Sequence, residues 1–389
     1  MEAQTNMQPQ LTHRERVLRA INHQEADRVP MDLGSHADSS IHAVAYEQLK
    51  AYMGIHIARK PRLVSKIMQD VLVDEEVLTT LDIDVRGIYP GALDDQGHED
   101  PETGEWTDEW GVTRVKPPGA HYYDLKMPAP LSGEITISDI VNYPWPDPHD
   151  PGLTRGLKEQ VERLKATTDC ALVARVPAPF IHQSQYMRGF EDWYMDLAAD
   201  PKLAGALFDA ILDVRLAQAT RILDIVGPHI DVVMTGDDMG TQNGLQFSPA
   251  TYRKLIKPRQ KKFFDLVHSK TSAKMLLHSC GSVYSIINDL IEIGVDILNP
   301  VQRRAANMDP AKLKAEFGDR LVFWGGVDIQ QVMPFGSPDD VRAEVKYLFE
   351  TLGVGGGWVL SCAHNIQPEV PPQNIVTLFK DAPTLTRYA

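Results

Sequence analysis

Ala273-Lys-Met-Leu-Leu-His278-Ser-Cys280-Gly-Ser282 is an apolar run that stops abruptly on an imidazole and a thiol. Such a run has the length of a buried strand, and residues two apart on a strand point the same way. His278 and Cys280 can therefore present nitrogen and sulfur to one point at the strand's C-terminal end. Zinc favours that donor set, and a catalytic zinc needs three protein ligands, which leaves a position for substrate. A third donor is expected at the end of another strand, and the segment Gly355-Gly-Gly-Trp-Val-Leu-Ser-Cys362-Ala-His364 supplies Cys362, with His364 two residues on. The chain has three cysteines, Cys170, Cys280 and Cys362, too few for a disulfide framework.

Working outward, strand-like segments recur near residues 30, 85, 174, 233, 276, 297, 323 and 360, with helical patterning between most of them. Thr12 and Glu15 open the first helix as a capping box, and Ser248 and Ser337 precede prolines at the starts of two others. A helical region is expected over residues 41–80, and another from about Glu191 to Val226. Eight alternations predict an α/β fold, a (β/α)8 TIM barrel, with an elaborated insertion after strand 2. Residues 1–10 are polar and expected to be flexible, and residues 11–389 form a single barrel domain. Residues 91–150 break the rhythm as a pocket-covering subdomain, with Trp110 as a substrate contact. Asp147-Pro-His149-Asp-Pro-Gly152 has the spacing by which corrinoid-binding domains ligate cobalt, but it lies in a proline-rich linker, and no such domain surrounds it.

In barrels of this kind the chemistry gathers at the C-terminal ends of the strands. Asp237, Asp238, His278, Cys280, Asn299, Gln302, Asp328, Cys362 and His364 fall there. His278, Cys280 and Cys362 are the expected metal ligands. Asp237, Asp238 and His364 are the expected catalytic groups, with roles in orienting substrate, protonating a leaving oxygen or completing the coordination shell left open. Trp110, His182, Tyr186, Gln242, Asn299, Gln302 and Asp328 are expected at the substrate.

With 43% hydrophobic residues the chain can bury an ordinary core. A formal charge of -14 argues against nucleic acid or an anionic membrane as partner. No apolar run reaches membrane-spanning length, and the first residues lack a secretory pattern, so a cytoplasmic location is expected.

Several blocks in order resemble the uroporphyrinogen decarboxylase superfamily: His278-Ser-Cys280-Gly-Ser282, Asp237-Asp-Met-Gly-Thr-Gln242, Gly294-Val-Asp-Ile-Leu-Asn-Pro-Val-Gln302, Asp108-Glu-Trp-Gly111, and the ending from His364-Asn-Ile-Gln367 to Pro371-Pro-Gln-Asn374. The decarboxylases proper carry an arginine motif near the end of strand one. Here that segment reads Met31-Asp-Leu-Gly-Ser-His-Ala-Asp-Ser-Ser40 and has no arginine. The zinc-dependent corrinoid methyltransferase branch (O-demethylase type) is the better match. It implies bound Zn2+ on His278, Cys280 and Cys362, a small methylated substrate, and a corrinoid carried by a separate partner protein. The reaction expected from this resemblance moves a methyl group from a methoxylated aromatic or other methylated small molecule to the cobalt of that corrinoid protein. The alternatives are a methylcorrinoid:thiol methyltransferase, a metal-free decarboxylase-like lyase and a non-catalytic binding protein. O-demethylation is preferred over the thiol direction because the sequence offers no evident cationic site for a sulfonated thiol. A homo-oligomer stays open.

Overall fold

The computed structural model describes residues 11–388. Seven parallel strands lie side by side in chain order: Val85–Ile88, Ala171–Arg175, Val232–Gly236, Lys274–His278, Ile297–Asn299, Val322–Trp324 and Trp358–Val359. A helix follows each of the first six at some point before the next strand, among them Leu157–Thr167, Pro201–Val226, Lys257–Lys270 and Pro338–Leu348. This alternation with an all-parallel order is the (β/α)8 pattern.

The eighth stave is the segment around Met31. It makes a parallel bridge to Leu360 on one side. On the other, the Asp84 backbone N–H donates to the Met31 carbonyl at 3.0 Å, and the Met31 N–H donates to the Asp84 carboxylate at 2.7 Å. The predicted strand over residues 28–34 is thus a stave without a regular ladder. Pro30 has no N–H to give, and a side chain stands in for a backbone acceptor. Asp84 is fully buried and also binds Arg16 Nη1 at 2.5 Å and Arg28 Nη1 at 2.6 Å, which ties the first helix and first stave to the next strand.

Helix starts follow the sequence signals. Thr12 and Glu15 form their reciprocal capping box, Ser337 does the same with Asp340, and Ser248 caps the helix that Pro249 opens. The helical region expected over residues 41–80 is instead a helix Ala43–Met53, a short hairpin of Leu63–Ser65 and Asp70–Val71, and a helix Glu75–Thr80. Gly54, at φ +69°, ends the first of these. The long helix expected after Glu191 divides into Phe190–Ala199 and Pro201–Val226 at Asp200, which caps the second. The insertion contains a four-stranded antiparallel sheet, His98–Glu99, Trp106–Thr107, Thr113–Val115 and Asp124–Leu125. The expectation for residues 1–10 lies outside the described residues. Among the described residues no helix is long and apolar enough to cross a membrane.

Candidate metal centre

Strand register sets the site. In the parallel ladder His278 is opposite Gly236 on one side and Asn299 on the other. A Cβ on Gly236 would sit 3.0 Å from the His278 Cβ, so glycine leaves room for the imidazole at the strand end. Asn299 Oδ1 is 2.5 Å from His278 Nδ1, and Asn299 Nδ2 donates to the Trp324 carbonyl at 3.0 Å, which fixes the amide's orientation. His278 Nδ1 therefore carries the proton, and Nε2 is left as a lone-pair donor facing Cys280 Sγ at 3.4 Å.

Beyond the strand the chain turns at Gly281, φ +78°, where a Cβ would meet the Gly240 carbonyl carbon at 2.5 Å. The close approach of these two loops holds the Cys280 backbone N–H on Asp238 at 2.7 Å and the Gly281 N–H on Gln302 Oε1 at 2.8 Å. From the last stave His364 reaches the same point. Its Nδ1 is hydrogen-bonded to Asn365 Oδ1, and Asn365 is anchored to Asp70 at 2.6 Å and Gln367 at 2.7 Å. The ligand atoms of His278, Cys280 and His364 all lie within 4.8 Å of one another.

Cys362 does not join them. It remains in the ladder, bridged to Val327, and is buried, with burial and the neighbouring Asp32 and Asp328 pushing its thiol up to about 12. The last ladder bond runs from the Ala363 N–H to the Val327 carbonyl at 2.8 Å, and His364 follows it. Among the described residues the side chains that come together are His278, Cys280 and His364, with His364 standing where Cys362 is expected from the sequence.

Two carboxylates flank the group. Asp38 lies 3.9 Å from His364 Nε2, 4.0 Å from His278 Nδ1 and 3.6 Å from His36 Nδ1. Burial raises its pKa, but His278, His36 and His364 overcome that and hold it well below the usual carboxylate range. Asp238 lies 3.8 Å from His278 Nε2 and 3.4 Å from His182 Nε2. Here too burial is outweighed, by the His182 interaction first, and the carboxylate is held low. His182 shows the other half of that pairing, pushed up to about 9 against its burial by Asp238 and Asp237. The Cys280 thiol is driven well above its ordinary value by burial, with Asp238 and Asp38 adding to it. A divalent cation would reverse that shift.

The donors fit such a cation. Tetrahedral zinc with ordinary Zn–N and Zn–S bonds separates nitrogen and sulfur by about 3.6 Å, and the His278 to Cys280 distance is 3.4 Å. Each histidine also has its other ring nitrogen on an asparagine amide, the outer contact that orients metal-bound imidazoles.

The remaining expected residues sort by position. His182 and Tyr186, stacked at 6.0 Å, line a 370 Å³ cavity that also reaches Asp38, Asp238, His278 and His364. Gln302 and Asp328 line a second cavity of 430 Å³, which opens onto Cys280 and His364 from the other side and also includes Tyr122 of the insertion. Four expectations need correction. Asp237 is fully buried and accepts the backbone N–H groups of Phe180, Ile181 and His182, each at 3.0 Å, so it caps a helix instead of facing substrate. Asn299 is spent on His278. Trp110 is 1% exposed and lines neither cavity; its ring lies under the Arg215 guanidinium at 4.4 Å. Gln242 is exposed, lines neither cavity and contributes its carbonyl to Ala306 N–H.

Sequence reasoning missed Asp38, Arg175 and Arg215, all on the walls of the 370 Å³ cavity. Arg175 ends its strand just as His278 ends its own, and that position was the available signal.

The fold and these blocks define a barrel with a histidine and cysteine cluster at its C-terminal rim. Residues 121–384 match the uroporphyrinogen decarboxylase (URO-D) family, and the chain belongs to it. It is 30% identical over 173 residues to a methylcobamide:CoM methyltransferase of Methanosarcina barkeri, an overlap covering 44% of this chain and 47% of that protein. A uroporphyrinogen decarboxylase of Chlorobium phaeobacteroides is 25% identical over 184 residues, 46% of this chain and 49% of that one. The chain thus spans about half the length of these curated relatives. A methyltransferase from Methanosarcina mazei shares the fold across 96% of this chain and 98% of its own, with a TM-score of 0.66 and 17% identity.

Proposed function

We propose that this protein is a zinc-dependent methyltransferase that exchanges a methyl group between a small molecule and the cobalt of a corrinoid carried by a separate protein. The observation that carries the reading is the convergence of His278, Cys280 and His364 at the barrel rim. Similarity to a methylcobamide:CoM methyltransferase supports the reaction class.

Zinc held by those three side chains would supply Lewis acidity to an ether oxygen, or would hold a thiol as thiolate. The rest falls to the chain's own residues. In the donor direction the methyl–oxygen bond breaks, the methyl carbon bonds to cobalt(I), and the leaving oxygen needs a proton. His182, protonated at neutral pH beside Asp238, lines the same cavity and is the donor. Asp238 holds both His182 and the Cys280 backbone, coupling the acid to the metal-binding loop. Asp38 is the carboxylate free to complete the coordination shell, its nearest partners being histidine nitrogens. The insertion contributes Tyr122 to the wall of the 430 Å³ cavity on Cys280 and His364, consistent with a covering role.

A thiol as methyl acceptor is the second reading. One observation favours it: the cationic site that the sequence did not reveal exists, in Arg175 and Arg215. Zinc analysis together with optical spectra of cobalt tests both readings. About one zinc per chain, and conversion of cob(I)alamin to methylcobalamin by a methoxylated compound, is the expected result. Demethylation of methylcobalamin by a thiol would instead select the second reading. No bound zinc, with Cys280→Ala unchanged in activity, would refute both.

A further inference from the structure

The 370 Å³ cavity beside the candidate metal centre adjoins a 350 Å³ cavity lined in part by the insertion, and Arg175, Val176, Pro177 and Arg215 line both. Among the described residues the Arg175 guanidinium makes no ion pair and no hydrogen bond to protein; the arginine itself is half-buried, at the end of an otherwise buried strand. Arg215 lies on the helix Pro201–Val226 with its guanidinium over Trp110. It donates to Gln218 Oε1 at 2.9 Å and to Gln183 Oε1 at 3.1 Å, while its Nε is buried without a partner. Because Gln183 Oε1 faces Arg215, its amide nitrogen must point away, and that Nε2 is likewise buried and unpaired. Gln183 is 8% exposed and lines the first cavity.

Two buried donors without acceptors, on Gln183 and Arg215, and one half-buried cation without a partner, Arg175, therefore line one cavity. A buried donor left without an acceptor is costly, and natural interiors rarely hold two together. Among the described residues no carboxylate forms an ion pair with either arginine, and Glu109, Asp237 and Asp108 act on Arg215 only at longer range. Asp38 and Asp238 face histidines on the metal side. Glu109 lies on the wall of the 350 Å³ cavity, and burial pushes its carboxyl towards the neutral form. Burial lowers Arg215 to about 10, which still leaves it charged at neutral pH. A ligand group that only accepts hydrogen bonds and carries negative charge satisfies all three at once.

We propose that Arg175, Arg215 and Gln183 form an anion subsite that holds a carboxylate or sulfonate of the substrate, with the substrate's reactive end directed at His278, Cys280 and His364. The direction of the reactive end rests on the proposed function; the anion preference does not. The cavity volume of 370 Å³ is that of a small-molecule site.

Calorimetric titration of the zinc-loaded protein with two matched pairs provides the test: 3-methoxybenzoate against 3-methoxybenzyl alcohol, and 2-mercaptoethanesulfonate against 2-mercaptoethanol. The anion of one pair is expected to bind at least about tenfold tighter than its neutral partner, as a charge-assisted contact implies, and which pair does so separates carboxylate from sulfonate. Arg175→Gln should abolish that preference without changing zinc content. Arg215→Lys, which keeps the charge but loses the paired contacts to Gln218 and Gln183, should weaken it while circular dichroism stays unchanged. Repeating the titration on Cys280→Ala separates the two ideas, since the anion preference should persist there even with zinc and methyl transfer lost. Equal binding of anion and neutral partner in both pairs, no binding of either anion, or a preference untouched by Arg175→Gln would overturn the subsite.

Discussion

Asn299→Ala removes the group that aims His278, and its consequences follow from two hydrogen bonds. His278 Nδ1 is 2.5 Å from Asn299 Oδ1, and both residues are buried, at 4% and 2% exposure. The second bond, from Asn299 Nδ2 to the Trp324 carbonyl at 3.0 Å, keeps the amide from flipping. Truncation frees the imidazole to rotate or to place its proton on Nε2, the nitrogen that faces Cys280. Loss of such an outer contact costs about 10- to 100-fold in metal affinity, or about 1.4–2.8 kcal/mol. The abandoned Trp324 carbonyl adds a stability cost of about 1–3 kcal/mol. Asn299→Asp restores an acceptor for the Nδ1 proton while removing the donor to Trp324, so it should lose stability and retain zinc. Competition against a chromophoric zinc chelator reads the affinity, and urea unfolding reads the stability. Wild-type zinc affinity in a folded Asn299→Ala protein would show that His278 is not oriented through this amide, and would count against Nε2 as the ligand atom.

Three further outcomes follow from the same geometry. Cys362→Ser should keep its zinc while His364→Ala loses most of it, by metal analysis after dialysis; the reverse result would restore Cys362 to the ligand set. Asp84→Ala removes the buried partner shared by Arg16 and Arg28, leaving them Asp27 and Asp82 as carboxylate partners, and takes the acceptor from the Met31 N–H, so it should cost about 3–5 kcal/mol in urea unfolding; a cost below about 1 kcal/mol, the scale of an exposed pair, would mean the stave around Met31 is held by other contacts. Asp70 is fully buried, with Oδ2 unpartnered, and burial first and Asp38 second push its carboxyl up to about 8. The folded pKa lies above the unfolded value of about 3.9, so this carboxyl's contribution is fully present below about pH 4 and is lost as pH rises towards 8. Asp70→Asn should remove that loss, gaining on wild type in urea midpoint between pH 5 and pH 8; parallel curves would refute it.

Much of the barrel could be read from strand-length apolar runs because its central strands are buried on both faces. Ala171–Arg175, Val232–Gly236 and Lys274–His278 each show four consecutive buried residues, and such runs stand out between amphipathic helices. The eighth stave was visible as a segment but not as a ladder, because its pairing depends on Asp84, distant in sequence. The hairpin of Leu63–Ser65 and Asp70–Val71 was hidden for a different reason: strands of three and two residues carry too little alternation to displace a helical reading.

The site was harder to read, because alternation along a strand applies only while the strand lasts. His278 and Cys280 straddle a strand end where register with Gly236 and Asn299 still holds, so their same-side placement could be inferred from spacing. Cys362 and His364 have identical spacing, but the ladder continues through Val327 to Cys362 and ends beyond Ala363. The residue nearer the strand therefore stays buried between staves, and the one after the exit reaches the rim. Arginine at a strand end carries a signal of its own, distinct from that of a metal donor. Arg175 closes its strand at the rim that receives His278 and Asn299, and a cation there without a carboxylate partner bears on substrate charge as directly as the ligands bear on the metal. Arg215 gave no comparable signal, since one arginine on a helix running from Pro201 to Val226 is ordinary until the fold lays it across Trp110 and against Gln183. What spacing could not supply at either place was the point where backbone pairing stops, and that point is set by contacts between staves far apart in the chain.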